Sequence, residues 1–223
     1  MRKIYLLLYG LTLTLAAHAQ SGFDYATDFP KIAAQTAKPQ SPVYYPTLLK
    51  RFLANDQTLS AQELLALQIG HTCLPTYRPY LDIAIERQLY DLNDKKDFAA
   101  ALQAANIYQQ RNPLSLMLNL EKSYALSKTG QADSSSLYLG RYKQLMGALL
   151  ASGDGTKKPY FVLSPIDGQL LITRFWGGEL GIMGSGRDKK GNMLDMLDMR
   201  DGKTGTTKTY LFHIQHATAT MLK

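Results

Sequence analysis

The chain has 223 residues, a formal charge of +7, 45% hydrophobic residues and a single cysteine. At roughly 100–200 residues per domain, that length supports one good-sized core or two small lobes, and a lone thiol excludes an internal disulfide, so stability must come from packing. The densest basic groups, Lys157-Lys158 and Arg187 with Lys189-Lys190, are flanked by acidic residues and form no stripe, so nucleic acid is not an expected partner.

The opening "MRKIYLLLYGLTLTLAAHAQ" sets Arg2 and Lys3 before an apolar stretch from Ile4 to Ala17 and closes on Ala17-His18-Ala19. That is the layout of a signal peptide, and the stretch is short of the roughly 20 apolar residues that span a bilayer. The expectation is removal of residues 1–19 by cleavage after Ala19 and a periplasmic or secreted destination. Gln20 stands where a lipobox would have cysteine, so no lipid anchor is expected, and no later apolar run is long enough for a transmembrane segment.

A loose polar start precedes "SPVYYPTLLKRFLAND", which reads as an extended approach and a short helix with Pro46 in its first turn, where a missing N–H costs little. In "SAQELLALQIG", Ser60 and Glu63 have capping-box spacing, predicting a helix that stops at Gly70. Two prolines interrupt "TCLPTYRPY", and Cys73 reads as a small buried hydrophobe.

A helical period then runs for some 70 residues. Its apolar sets are Leu81, Ile85, Leu89 and Leu92; then Phe98, Ala101, Leu102, Ala105 and Tyr108, with Asp97 as cap and Pro113 as stop. Met117, Leu120 and Tyr124 follow, up to Gly130, and lastly Tyr138, Tyr142, Leu145 and Leu149. Small residues at 100, 101, 104 and 105 allow close approach, so paired antiparallel helices are predicted.

Gly153-Asp154-Gly155 follows a helix instead of leading into one. The nearby backbone groups are therefore spare carbonyls, not the N–H donors that cradle phosphate, and the turn reads as a helix cap. Beyond it the period becomes two: "PYFVLSP", "QLLITRFWG", "MLDMLDMRD" and "TKTYLFHIQHA" read as strands, joined by Asp167-Gly168, a glycine-rich loop around 177–191 and Asp201-Gly202. The predicted fold class is α+β: a helical bundle over residues 20–152 and a small antiparallel sheet over 153–223, packed together as one unit.

No local cluster announces chemistry. His213 and His216 in "HIQH" would point to opposite faces of one strand, as would Asp195 and Asp198. "DLNDKKDF" has Lys96 where a calcium loop needs glycine. Ser185 in "GIMGSGRDKKG" is followed by no helix, as a nucleophile elbow would require. No catalytic residue, metal site or cofactor is therefore predicted. Tyr44, Tyr45, Tyr77 and Tyr80 bunch in the proline-containing parts; exposed tyrosine suits sugar or peptide contact, but tyrosines also line ordinary cores with the hydroxyl at the rim, and the structural role is the expectation.

Two resemblances follow. Residues 101–130 resemble a tetratricopeptide-type boundary: Ala101 and Pro113 stand as its small residue and terminal proline, and Asn119, Leu120 and Tyr124 match the next unit's first helix. The Ser41-Pro42 to Pro46 stretch, the capping segment around Ser60, the "SGDG" turn and the "YLFHI" end together resemble a family of exported Bacteroidetes proteins known as domain of unknown function 4919, from about Pro39 to His216. That resemblance implies a fold and an exported location but no activity. The favoured function is a non-catalytic interaction or scaffolding module, with Asn119 and Lys122 offered in a groove to an extended peptide or a chain-end carboxylate of an envelope protein. The alternatives are an envelope hydrolase acting on glycan or peptide through residues distant in sequence, and a purely structural envelope component.

Overall fold

A computed structural model describes residues 23–222, so the expected signal peptide lies outside the described residues. The segment read as a loose start is a helix, α1 (Tyr25–Thr36), whose first turn is capped by Asp24 Oδ1 accepting from Thr27 N at 3.1 Å. Pro30 sits inside it. An interior proline loses a backbone hydrogen bond and crowds the carbonyl four residues back, which is why the sequence reads as unhelical. Burial of Tyr25 against Leu65, Ile69 and Phe161, with Phe29 and Ile32 packed alongside, outweighs that cost.

Helix α2 (Tyr45–Leu53) has Pro46 in its first turn, and α3 (Ala61–Thr72) opens on a complete capping box. Ser60 Oγ accepts from Glu63 N at 3.2 Å, and Glu63 Oε2 accepts from Ser60 N at 2.9 Å. Gly70 does not end α3. A Cβ there would lie 2.9 Å from the Tyr45 ring and 3.0 Å from Thr36 Cβ, so the bare backbone is what lets three helices meet. Cys73 is exposed, correcting the expectation of burial: it stands at the α3 C-cap, where the chain turns outward before Tyr77 re-enters the core.

The long helical run is α4 (Pro79–Asp94), α5 (Phe98–Arg111), α6 (Leu116–Lys128) and α7 (Ala132–Ala151), each packed on the next. Asp97 caps α5 through Ala100 N, and Ser115 caps α6 through Leu118 N, both at 3.1 Å. The face that α4 buries differs from the apolar stripe read in its sequence. Leu81 is 70% exposed, and the buried positions are Asp82, Glu86, Leu89 and Asn93. A mostly polar face can be buried only because each polar group on it finds partners. Helix α6 is buried on nearly every side, although Tyr124 is 43% exposed.

After α7 come β1 (Tyr160–Phe161), α8 (Asp167–Leu170) continuing as a π-helical turn (Leu171–Phe175), then β2 (Glu179–Arg187), β3 (Met193–Arg200), β4 (Thr207–His213) and α9 (Gln215–Thr218). The expected strand "QLLITRFWG" is thus helical. Leu170, Leu171 and Ile172 are consecutively buried, a run that one face of a strand cannot bury. The glycine-rich stretch expected as a loop is β2, since a backbone ladder needs no side chains: Gly184, Ser185 and Gly186 pair with Met196, Asp195 and Leu194. Sheet order is β1-β4-β3-β2. The last three strands are antiparallel, as expected, and β1 joins β4 in parallel across the intervening α8 and hairpin, so the sheet is mixed. Leu197 and Phe212 on one face join the same core as Leu48, Leu67, Leu145 and Leu149 from the helices, completing an α+β fold.

Candidate functional site

A groove of about 1270 Å³ runs between α2, the α3–α4 link and α5, with α6 and α7 behind. Leu53 and Ile107, 40% and 66% exposed, form an apolar rim. Gln88, Asn106 and Gln109 supply amides, and the ionisable side chains lining it are Arg111, Lys122 and two tyrosines besides Tyr108, with no carboxylate. Because α6 is buried almost all round, the Lys122 stem runs through packed surroundings and its ammonium emerges between α5 and α7. Its three donors go to Asn106 Oδ1 at 2.6 Å, Gln109 Oε1 at 2.6 Å and Tyr138 Oη at 2.8 Å, and the nitrogen lies 4.3 Å from the Tyr138 ring centre. Each of those acceptors is neutral. Among the described residues no carboxylate lies within ion-pair distance of Lys122.

Asn119, the other residue offered for the groove, is 1% exposed. Its Nδ2 donates to the Pro113 carbonyl at 3.0 Å and the Ser115 carbonyl at 2.8 Å, so the side chain holds the α5–α6 turn from behind the groove wall. The groove residues unread in sequence are Asn106, Gln109 and Arg111, and Tyr138 was read only as part of an apolar helix face. Asn106 and Gln109, three positions apart on α5, share the face turned to Lys122, while Arg111 lies on the other side of the Ala101, Ala105 and Tyr108 seam.

Tyr108 connects the groove to a sealed carboxyl cluster. Its ring lines the groove, and its hydroxyl donates to Glu86 Oε1 at 3.1 Å. Ser115 Oγ donates to the same oxygen at 2.6 Å, and Ser164 Oγ to Oε2 at 3.0 Å. Asp167 Oδ2 accepts from Leu163 N at 3.0 Å and Ser164 N at 2.8 Å, while its Oδ1 has no partner. Glu86 and Asp167 are 0% and 1% exposed. Burial is the main cause pushing Glu86 up to about 8 and Asp167 to about 7; the Asp167 charge adds to the effect on Glu86. Nearby, Asp82 pairs with Arg111 at 2.5 Å; burial raises its carboxyl and the guanidinium partly offsets this.

Residues 30–222 match the sequence profile of a family described as a domain of unknown function, DUF4919. The chain belongs to this family. No curated protein matches, and no solved structure does. The groove, the carboxyl cluster and the sheet all lie within the family domain.

The "HIQH" segment of the domain is not one continuous strand, and this corrects the reading that its histidines look apart. Strand β4 ends at His213, the chain turns helical at Gln215, and both rings reach Tyr25. His213 stacks on Tyr25 at 4.3 Å between centroids, and His216 Nδ1 lies 3.2 Å from Tyr25 Oη with its Nε2 2.7 Å from the Val162 carbonyl. Burial, aided by His213, holds His216 down to about 3, so it is a neutral packing residue at physiological pH. No group of three or more His, Cys, Asp or Glu among the described residues is placed to hold a metal ion. Ser185, read as part of a hairpin loop and not of a nucleophile elbow, lies in β2 and donates to Asp195 Oδ1 at 2.9 Å within the sheet.

Proposed function

We propose that the protein is an exported, non-catalytic interaction module whose groove holds an extended peptide by its chain-end carboxylate. The observation that carries this is Lys122, a 7% exposed residue whose part-buried ammonium is surrounded by neutral acceptors. A buried charge without a counter-ion is costly, and a carboxylate displacing one neutral acceptor would relieve that cost with a charge-assisted bond. The amides of Gln88 and Asn106 suit a main chain, and Leu53 and Ile107 suit its apolar side chains. The tetratricopeptide-like spacing between Ala101 and Tyr124 supports a peptide-binding helical surface. The signal-like layout of residues 1–19 supports an envelope protein as the source of that peptide. For the rival hydrolase, the two carboxyls with the largest shifts, Glu86 and Asp167, are sealed from solvent.

Selection from a random peptide library displayed with free C-termini tests this reading. The parent should enrich a family of peptides whose affinity falls at least about tenfold when the terminus is amidated, and by a similar factor in Lys122→Met, at roughly 1.4 kcal/mol per decade. Met keeps the aliphatic stem, and the acceptors it abandons lie at the groove surface, so the variant should fold. No enrichment, or equal binding of acid and amide, would contradict the reading.

A further inference from the structure

A second cavity, about 590 Å³, lies against the outer face of the sheet. Its floor is apolar. Leu194 and Met196 on β3 and Leu211 on β4 share this face, opposite the one through which Leu197 and Phe212 enter the core. The cross-strand partners of Leu194 and Met196 on β2 are Gly186 and Gly184. Those glycines present no side chain beside the floor; a Cβ on Gly186 would come within 3.2 Å of Met196 Cε. The glycine-rich stretch thus keeps a low wall along an apolar trough.

The rim is basic. Lys157 and Lys158 reach it from the loop after α7, and Arg187, Lys189 and Lys190 from the β2–β3 turn. Two carboxylates also line the cavity, and both are engaged. Asp24 pairs with Lys190 at 2.7 Å, and Asp188 accepts from Lys190 N and from both Asn192 nitrogens inside the turn, each within 2.8 Å. Arg187 donates to the Gly191 carbonyl at 2.6 Å. Among the described residues Lys157, Lys158 and Lys189 have no carboxylate within ion-pair distance. At the inner end His213, 5% exposed, is stacked on Tyr25 and its Nδ1 has no hydrogen-bond partner. A cationic rim above an apolar floor complements a molecule with one anionic end and one apolar end. The volume falls within the roughly 300–1,000 Å³ of small-molecule sites.

We infer that this trough binds a single anionic amphiphile, its head among Lys157, Lys158 and Lys189 and its apolar body over Leu194, Met196 and Leu211. The site is independent of the peptide groove. Its charge could be supplied by a free molecule or by a lipid head in a bilayer, and the enclosing α1 start and loops favour the free molecule.

Isothermal titration with dodecyl phosphate below its micellar concentration tests the inference. One equivalent should bind the full chain, more weakly as salt is raised, while dodecyltrimethylammonium should not bind. Lys157→Ala/Lys158→Ala/Lys189→Ala should lose at least about tenfold in affinity with its thermal midpoint unchanged, these being solvent-side lysines; Lys189→Glu alone should lose a similar factor. Met196→Asp, which plants a carboxylate on the apolar floor, should also abolish binding. Non-saturable binding, equal binding of the ammonium, or undiminished affinity in the lysine variants would overturn the inference. So would binding to phosphatidylglycerol vesicles without binding to the monomeric phosphate.

Discussion

Glu86→Ala is expected to destabilise the fold by about 3–5 kcal/mol at pH 6.5, the range for breaking a buried polar network. The hydroxyls of Tyr108, Ser115 and Ser164 all donate to this carboxyl, and the variant leaves them without an acceptor in a sealed site. Each unsatisfied buried group costs about 1–3 kcal/mol before relaxation. Glu86→Gln should stay within about 1 kcal/mol of the parent, because Oε1 is kept and the new amide nitrogen can donate to Ser164 Oγ. Urea denaturation measures both. An alanine variant as stable as the glutamine variant would show that the hydroxyls find other partners. The three donors come from α5, the α6 cap and the segment before α8, so the carboxyl ties the helical layer to the sheet-bearing half.

Alanine at Gly153 or Gly155 is the second large effect, expected to cost about 3 kcal/mol or more, beyond the ordinary range for a surface substitution. A Cβ at Gly153 would lie 2.4 Å from the Lys158 carbonyl oxygen and 2.7 Å from that of Pro159; both are backbone and cannot rotate away. At Gly155 the Cβ would lie 2.4 Å from the Tyr160 ring and 2.8 Å from that of Tyr210, with φ at +71°. The left-handed backbone alone costs a non-glycine residue about 1–2 kcal/mol. Asp154 completes the turn, its Oδ1 accepting from Thr156 N at 2.7 Å and Lys158 N at 3.1 Å. The Gly-Asp-Gly turn is thus a packed joint between α7 and β1, with its carboxylate satisfied internally. Unfolding free energies within about 1 kcal/mol of the parent for both variants would contradict this.

Features written in a few adjacent residues were legible in the sequence. The Ser60–Glu63 box, the Asp97 cap and Pro46 in a first turn each depend on contacts within about four residues, so spacing alone reveals them. Features set by tertiary contact were not. Helix α4 buries Asp82, Glu86 and Asn93, which no hydropathy pattern would turn inward without knowing that Tyr108, Ser115 and Glu121 wait there. Gly70 carries the same mark as a helix stop and serves as a contact with Tyr45. Pro30 lies inside a helix held by Phe161, more than a hundred residues away in sequence. In the groove, Lys122 was legible as a helix residue near a tetratricopeptide-like boundary. Its three neutral partners lie 13 to 16 positions away on neighbouring helices and were not.

Equilibrium urea unfolding between pH 7 and 9, followed both by Trp176 fluorescence and by helical circular dichroism, probes the joining of the two halves through the carboxyl cluster. Trp176 packs on Tyr160 and Tyr210 of the sheet, so it reports on that half. Glu86 and Asp167 have folded pKa values raised above their unfolded ones, so their contribution is present at low pH and is lost as pH rises through about 7 to 8. His71 and His213, lowered by burial to about 4, and His216, lowered to about 3, act in the opposite sense. They destabilise only as pH falls below the unfolded value near 6.5, and so add no slope in this window. The parent should therefore lose stability from pH 7 to 9, Glu86→Gln should lose less than half as much, and the two probes should give one coincident transition. Stability that is flat or rising over this range, or separate transitions for tryptophan and helix, would contradict it.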